Sequence, residues 1–216
     1  ESGALNESFC DIFGEMCWRD VYLVSGSTNW LIGPTADPLR SMSDPNSVGN
    51  HTIPAIFGGC NIAPGQADTY EGDNWSDIDL IGNGADCDFG GVHSNSSVQN
   101  HWFYLLSVGG SDFNDNGDFF EVVGIGEDDA QDIAFWNMTN VLINSSQYED
   151  AREGAIASAE LLFGDCSNQM HQCANAWYAV GVGDPSECTE VLSTDSYSSI
   201  EEIELFPNPT KNQFKI

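Results

Sequence analysis

Hydrophobic side chains recur every three to four residues in two segments of this chain, which is the spacing of one face of an α-helix. The apolar positions of the first segment are Leu5, Phe9, Ile12, Phe13 and Met16. They predict a helix over residues 3–18. In the second segment the same spacing predicts a helix over residues 96–108, which Gly109 and Gly110 bring to an end.

The chain beyond residue 108 favours one hairpin and further helices. Asn116–Gly117 is typical of a tight hairpin turn, ahead of a strand at Val122–Val123. Three helices are predicted, over residues 129–143, from a capping box of Ser146 and Glu149 to about Gly164, and from about Ser167 to just before Gly181. This part of the sequence therefore predicts a helix bundle with short connections.

Residues 24–91 lack such periodicity and are rich in Gly, Pro, Asn, Asp and Ser, which predicts a long loop-dominated segment. The predicted fold class is mainly α, a helix bundle with a long loop-rich insertion and a small hairpin. Residues 1–184 are predicted to form one domain. A polar linker is predicted over residues 185–202, and residues 203–216 have a strand-like opening.

The charge of the chain limits its partners. Thirty-four Asp and Glu residues against five Lys and Arg give a formal net charge of -29. Nucleic acid is excluded as a partner, because phosphate binding needs basic side chains. No apolar run reaches the length of a membrane span. The acidity is interpreted as a solvated surface rather than a specific binding face. With no initiator Met and no signal peptide, a mature, cleaved or fragmentary product is expected.

The seven cysteines show no CxxC spacing, so disulfides in an oxidising compartment are favoured over a structural zinc site. Cys166–Cys173 is the first candidate pair and Cys60–Cys87 the second, although spacing alone decides neither. The odd count leaves at least one thiol unpaired or paired outside the chain.

Two short patterns carry candidate chemistry. Glu7 and Asp11 lie four residues apart on one face of the predicted first helix, where one can bind a metal and the other can orient a metal-bound histidine. Asp88 precedes His93 by five residues in a glycine-bearing loop, where a carboxylate can favour the charged imidazole as an oxyanion donor. Both patterns also occur as ordinary solvated or loop residues.

Arg40 is one of three arginines and could hold a peptide carbonyl or carboxylate, or could simply pair with Asp44 or another acid. Residues 112–117 match the first half of an EF-hand loop, but Val123 stands where the loop needs its glutamate. A hairpin turn is therefore favoured there over a calcium site.

Five sequence blocks occur in order: GALNE with DIFG (3–7 and 11–14), LRSMSDP (39–45), GGVHSNS (90–96), VGIG (123–126) and AWYAVGVG (176–183). Together they resemble the C-terminal domain of the thermolysin-like neutral metalloproteases. The resemblance implies a zinc endopeptidase that acts on peptide or protein substrates by means of zinc-activated water.

The resemblance also implies roles for individual residues. Glu7 matches the zinc-binding glutamate downstream of the family's His-Glu-x-x-His helix, and Asp11 matches the acid that orients a zinc-bound histidine. His93 matches the histidine that stabilises the tetrahedral intermediate, with Asp88 as its carboxylate partner. Arg40 matches the arginine that binds a substrate carbonyl.

Three departures from the family pattern matter. No His-Glu-x-x-His occurs in the 216 residues, so the two histidine ligands and the base are expected from a missing N-terminal half, before Glu1, and the chain alone is expected to be inactive. Phe89 stands where the family usually has asparagine. Residues 29–33 carry no acids, so the family's double calcium segment is not carried over and calcium binding stays open.

The tail carries a second resemblance. The sequence LFPNPTK (205–211) is similar to the opening of a type IX secretion C-terminal sorting domain, which implies a secreted, extracellular protein, with surface attachment as one outcome. Two other classes remain open: a non-catalytic binding module that keeps the peptidase fold, and a calcium-dependent adhesive domain.

Overall fold

The computed structural model describes residues 1–23, 25, 30–33, 38–49, 65–77, 84 and 87–188. Its helices are α1 (Ser2–Tyr22), α2 (Asp88–Val108), α3 (Glu127–Trp136), α4 (Tyr148–Phe163) and α5 (Asn168–Ala179). Its strands are β1 (Leu31–Ile32), β2 (Arg40–Ser41), β3 (Gly109–Phe113) and β4 (Phe119–Val123), which form two antiparallel pairs, β1 with β2 and β3 with β4. The predicted mainly α fold is confirmed.

Helix α1 is longer than predicted and packs along α2. Its apolar positions Leu5, Phe9, Ile12 and Met16 are buried, as the spacing requires. The helix ends where Leu23 adopts a left-handed conformation, with φ of 54°. Because α1 and α2 carry the candidate site residues, this pair of helices is the framework of the site.

A buried arginine fastens the far end of α1 to α3. The Arg19 side chain is 1% exposed and donates through Nε and Nη2 to the two carboxylate oxygens of Glu127, at 3.0 and 2.8 Å. Its guanidinium also lies 4.2 Å from the ring centroid of Trp30, in a cation–π contact. These contacts tie α1, α3 and the segment before β1 together.

The predicted hairpin is confirmed. Strands β3 and β4 pair from Gly109 opposite Val123 to Phe113 opposite Phe119. In the turn, Oδ1 of Asn114 accepts the backbone N–H groups of Asn116 and Asp118, at 3.1 and 3.0 Å. The segment that resembles half an EF-hand thus forms the hairpin turn.

The predicted cap of α4 is wrong by one residue. Gln147 and Asp150 form the capping box, and the Gln147 N–H donates to Asp150 Oδ2 at 2.8 Å. The Ser146 hydroxyl is engaged one turn earlier, where it accepts the N–H of Ile143 at 3.1 Å. The predicted 129–143 helix likewise divides into α3 and a π-helical turn over Asn137–Val141.

The core lies where α2, α4 and α5 meet. Trp102 of α2 stacks on Trp177 of α5 with ring centroids 4.7 Å apart. Tyr148, the first residue of α4, packs edge-on against Trp177, and its hydroxyl donates to the Asn95 carbonyl at 2.6 Å. Alanines on the inner face of α4 let the helices approach closely: Ala151, Ala155 and Ala159.

The first predicted disulfide is wrong. Cys166 pairs with Cys188, while Cys173 lies in α5 as a buried free thiol. Cys173 is fully buried in the core, whereas Cys166 is exposed in the turn before α5. Cys87 is disulfide-bonded, but the predicted partner, Cys60, lies outside the described residues.

Part of the predicted domain organisation lies outside the described residues. Much of the predicted loop segment 24–91 lies outside them, as do the linker beyond residue 188 and the strand-like opening at 203–216. None of the helices in the described part of the chain combines the length and apolarity needed to cross a bilayer.

Candidate active site

Glu7 and Asp11 lie one turn apart on the side of α1 that faces α2. The Glu7 side chain is 33% exposed, whereas that of Asp11 is 9% exposed. A buried carboxylate must be paired or hydrogen-bonded inside the protein, while a partly exposed one is available to a ligand. The two acids are therefore suited to different tasks.

A left-handed turn precedes His93. The backbone φ is positive at four consecutive residues, at 54°, 50°, 86° and 79° for Asp88, Phe89, Gly90 and Gly91. Glycine adopts this conformation readily and other residues rarely do, which explains the pair of glycines. The turn folds Asp88 back over the first regular turn of α2, where His93 lies.

The Asp88 carboxylate grips His93 at two atoms. Its Oδ1 lies 2.5 Å from the ring Nδ1, and its Oδ2 accepts the backbone N–H of His93 at 2.9 Å. The hydrogen bond to Asp88 raises the pKa of His93, and the charges of Asp88 and Glu7 act in the same direction, against burial and Arg40. The proton on Nδ1 faces Asp88, so Nε2 is the nitrogen that can donate to a further group.

Arg40 joins β2 to both helices. Its Nη1 donates to Asp11 Oδ1 at 3.0 Å, and its Nε donates to the backbone carbonyl of His93 at 3.1 Å. Arg40 is 6% exposed. Burial raises the pKa of Asp11, and the charge of Arg40 opposes that rise. The acid that pairs with Arg40 is thus Asp11, on a different element, rather than the neighbouring Asp44.

Two residues that the sequence analysis does not single out complete the buried part of the site. Asn100 on α2 donates from Nδ2 to Asp11 Oδ2 at 2.8 Å, and Ser8 on α1 donates to Asn100 Oδ1 at 2.8 Å. Both are 0% exposed. The sequence carries no local signal for Asn100, because α2 buries several polar side chains beside it, at residues 94–97 and at Gln99.

Glu7 on α1 also contacts α2: its Oε2 lies 3.3 Å from Nε2 of His93. The five predicted residues thus come together in one place: Glu7, Asp11, Arg40, Asp88 and His93. Within the described part of the chain, no group of three or more His, Cys, Asp or Glu side chains is arranged to hold a metal ion. Glu7 and His93 are the partly exposed members of this group of five.

Comparison with known proteins assigns the chain to a family. Residues 1–182 match the thermolysin metallopeptidase alpha-helical domain. This chain belongs to the thermolysin metallopeptidase family. Bacillolysin of Brevibacillus brevis is 35% identical over 182 residues, which are 84% of this chain and 29% of that protein. Neutral protease B of Bacillus subtilis (strain 168) is 32% identical over 182 residues, or 84% and 28% of the two proteins.

This thermolysin-family chain spans less than a third of the length of the curated relatives it matches. One solved structure, the precursor of protealysin, a metalloproteinase from Serratia proteamaculans, superposes with a TM-score of 0.55 at 22% identity. The alignment covers 84% of this chain and 50% of that one. At this identity the likeness supports the fold alone.

Phe89 is the distinctive residue of this thermolysin-family site. It is 58% exposed and holds a left-handed conformation without the help of a glycine. Phe89 lines a cavity of about 570 Å³ together with Trp75 and Ser76, next to the turn that carries Asp88. An aromatic side chain therefore borders the site where the family resemblance leads one to expect an asparagine.

Proposed function

We propose that this chain supplies the carboxylate half of a zinc endopeptidase site, with two histidine ligands and the catalytic base coming from another part of the same protein. The observation that carries this proposal is the convergence of Glu7, Asp11, Arg40, Asp88 and His93 through direct contacts of 2.5–3.3 Å. These residues come from three separate segments of the chain. A chance cluster of solvated residues would not be expected to interlock in this way.

Glu7 is the proposed metal ligand, because its carboxylate is partly exposed and lies beside Nε2 of His93. Thermolysin itself is a two-histidine, one-glutamate zinc site. Zinc, when bound, polarises the peptide carbonyl and activates water at neutral pH. The donor set of this chain fits that ion as one ligand of three.

His93 is the proposed donor to the developing oxyanion. Asp88 accepts from Nδ1 and raises the pKa of the ring, so the charged imidazole persists to higher pH than an unpaired histidine. Nε2 then carries a proton toward the open side of the site. A fixed, charged donor at that position stabilises negative charge on the carbonyl oxygen as water adds to it.

Arg40 and Asp11 have linked proposed roles. Asp11 is proposed to accept the distal N–H of a zinc-bound histidine and so to orient that ring. Arg40 holds Asp11 through Nη1 and the His93 carbonyl through Nε. The guanidinium donors that remain are proposed to bind a substrate carbonyl.

A secreted protein acting on peptide or protein substrates fits these residues best. The Cys166–Cys188 disulfide supports an oxidising compartment, and the sequence LFPNPTK at 205–211 supports export by the type IX route. The 216-residue chain alone is expected to be inactive, since a single carboxylate does not hold catalytic zinc.

The test is casein hydrolysis by the intact protein and its variants. His93→Ala is expected to lower kcat/KM by about 10²–10³ with bound zinc retained, and Glu7→Ala is expected to lose both zinc and activity. His171→Ala, a partly buried histidine on α5, is the matched control and should keep both. Full activity in either site variant, or casein cleavage by the 216-residue chain with zinc, would overturn the proposal.

A further inference from the structure

The carboxylate of Asp11 is held at both of its oxygens inside the protein. Arg40 Nη1 donates to Oδ1 at 3.0 Å, and Asn100 Nδ2 donates to Oδ2 at 2.8 Å. A carboxylate has about four lone-pair directions, so two contacts leave room for further donors. The contacts fix the rotation of the carboxylate plane and thereby fix where the remaining directions point.

The Asn100 amide is held between Asp11 and a third residue. The Asp11 carboxylate only accepts, so the amide must present its N–H₂ to Asp11. Ser8 holds the other side of the amide, where it donates its hydroxyl proton to Asn100 Oδ1 at 2.8 Å. The flipped amide would face a carboxylate with an oxygen, which is repulsive, and would leave two buried acceptors unsatisfied.

These hydrogen bonds are shielded from water. Ser8 and Asn100 are both 0% exposed, so water cannot substitute for either contact. Three charged groups also act on Asp11: Arg40 from β2, Glu7 from its own helix and His93 from α2. Ser8 and Asn100 are the neutral members of this group, so they can orient Asp11 without adding charge beside the metal ligand Glu7.

We propose that Ser8 and Asn100 are positioning residues of the metal site, which hold the Asp11 carboxylate in the one rotation that can accept the N–H of a zinc-bound histidine. This inference rests on the proposed function. The polar line from Ser8 through Asn100 to Asp11 crosses from α1 to α2 and back, over sequence separations of 92 and 89 residues. It therefore also fixes how α1 sits on α2, and with it the approach of Glu7 to His93.

The experiment is a measurement of zinc affinity by chelator competition in the intact protein. Asn100→Ala is expected to weaken zinc binding by up to about 10-fold, the low end of the effect of losing a group that orients a metal ligand, because Asn100 acts through Asp11. Ser8→Ala should weaken it less, because Asn100 remains but is free to rotate. Since Ser8 acts only through Asn100, Ser8→Ala should add no further loss in the Asn100→Ala background.

The matched control is Asn137→Ala. Asn137 is 1% exposed and makes one buried amide contact, from Nδ2 to the Ala151 carbonyl at 2.8 Å, in the π-helical turn outside the site. It should lower thermal stability and leave zinc affinity unchanged. If Asn100→Ala does not fold, the comparison is made with Ser8→Ala, whose small change the core tolerates.

The outcomes separate the two proposals. Normal zinc binding by the wild-type protein with unchanged affinity in Asn100→Ala, or a loss equal to that of Asn137→Ala, overturns the positioning role alone. In the Ser8→Ala comparison, an affinity equal to wild type does the same. A wild-type protein that binds no zinc overturns the proposed function and this inference with it.

Discussion

Asp88 binds His93 at both its ring and its backbone, with Oδ1 2.5 Å from Nδ1 and Oδ2 accepting the backbone N–H at 2.9 Å. One carboxylate therefore sets the tautomer of the imidazole and the start of the regular part of α2. The side chain of His93 is 32% exposed and that of Asp88 is 5% exposed. The acid is thus buried beneath a ring that can still reach a substrate.

Asp88→Asn is expected to lower the pKa of His93. The substitution removes the charge that favours the imidazolium and weakens the hydrogen bond that makes the largest contribution to the raised pKa. The measurement is an NMR titration of the histidine ring signals in the 216-residue chain. His101 is the internal control, because burial is the main cause of its lowered pKa and Asp88 does not contribute. An unchanged His93 titration would contradict this account.

The same variant should show a pH-dependent loss of stability. The pKa of His93 is raised in the folded state above its unfolded value of about 6.5. Its pairing with Asp88 therefore stabilises the fold fully below about pH 6.5, and this contribution disappears as the pH rises through the folded pKa. Urea unfolding from about pH 5 to about pH 9 should show the difference from wild type shrinking toward the alkaline end, and a difference that grows there would have the wrong sign.

Arg40→Met is expected to destabilise the fold by about 3–5 kcal/mol, because it leaves Asp11 buried without its counter-charge. Protonation of Asp11 relieves this defect, so the loss should diminish as the pH falls. Asp11→Asn in the Arg40→Met background is the matched test and should recover part of the stability. If urea unfolding shows equal losses in the single and double variants, Asp11 is not the group that needs Arg40.

Gly91→Ala should unfold the chain more readily than Gly117→Ala. Both glycines have positive φ, at 79° and 85°, so each alanine carries a backbone strain of about 1 kcal/mol or more. A Cβ at Gly91 would also overlap Cβ of Ser76, whereas a Cβ at Gly117 meets nothing within 4 Å. Thermal unfolding of the two variants isolates the crowding term, and equal melting temperatures would argue against it.

The Cys166–Cys188 disulfide closes a loop with a sequence separation of 22 residues. Replacing both cysteines by serine is expected to lower the free energy of unfolding by about 3 kcal/mol, mainly by freeing the unfolded chain. The measurement is urea unfolding without reductant, which leaves the Cys87 disulfide in place in both proteins. A loss well under 1 kcal/mol would mean that the loop is already ordered without the bond.

Thiol labelling of the native protein should separate the three free cysteines found among the described residues. Cys10 and Cys17 are exposed on α1 and should react, while Cys173 is buried, and burial raises its pKa. Thiolate is the reactive form, so Cys173 should label only on unfolding. Rapid labelling of Cys173 in the native state, detected by peptide mass spectrometry, would contradict its place in the core.

Local sequence patterns were sufficient to predict α1 and the hairpin. The apolar stripe of Leu5, Phe9 and Ile12 is a property of the sequence alone, and Asn116–Gly117 specifies its own turn. The cap of α4 was misplaced because Ser146 and Gln147 are both plausible first partners. Only the fold shows that the Ser146 hydroxyl already accepts the N–H of Ile143.

The site was predicted through spacing within each segment and through family resemblance, and its long-range contacts were not. Nothing local to Arg40 indicates that it pairs with Asp11, 29 residues away, instead of Asp44. Ser8 and Asn100 escaped notice for the same reason: each is an ordinary polar residue until packing of α1 on α2 removes water from both. Disulfide pairing also depends on the fold, since spacing in the sequence cannot show that Cys173 is buried in the core.

The left-handed turn before His93 also bears on how the gene for this protein can change. Any missense change in a glycine codon introduces a side chain with a Cβ atom. At Gly91 that atom meets Ser76 whichever amino acid carries it. In a library of random single-codon variants, position 91 should therefore be among the least permissive, with alanine depleted alongside the larger residues.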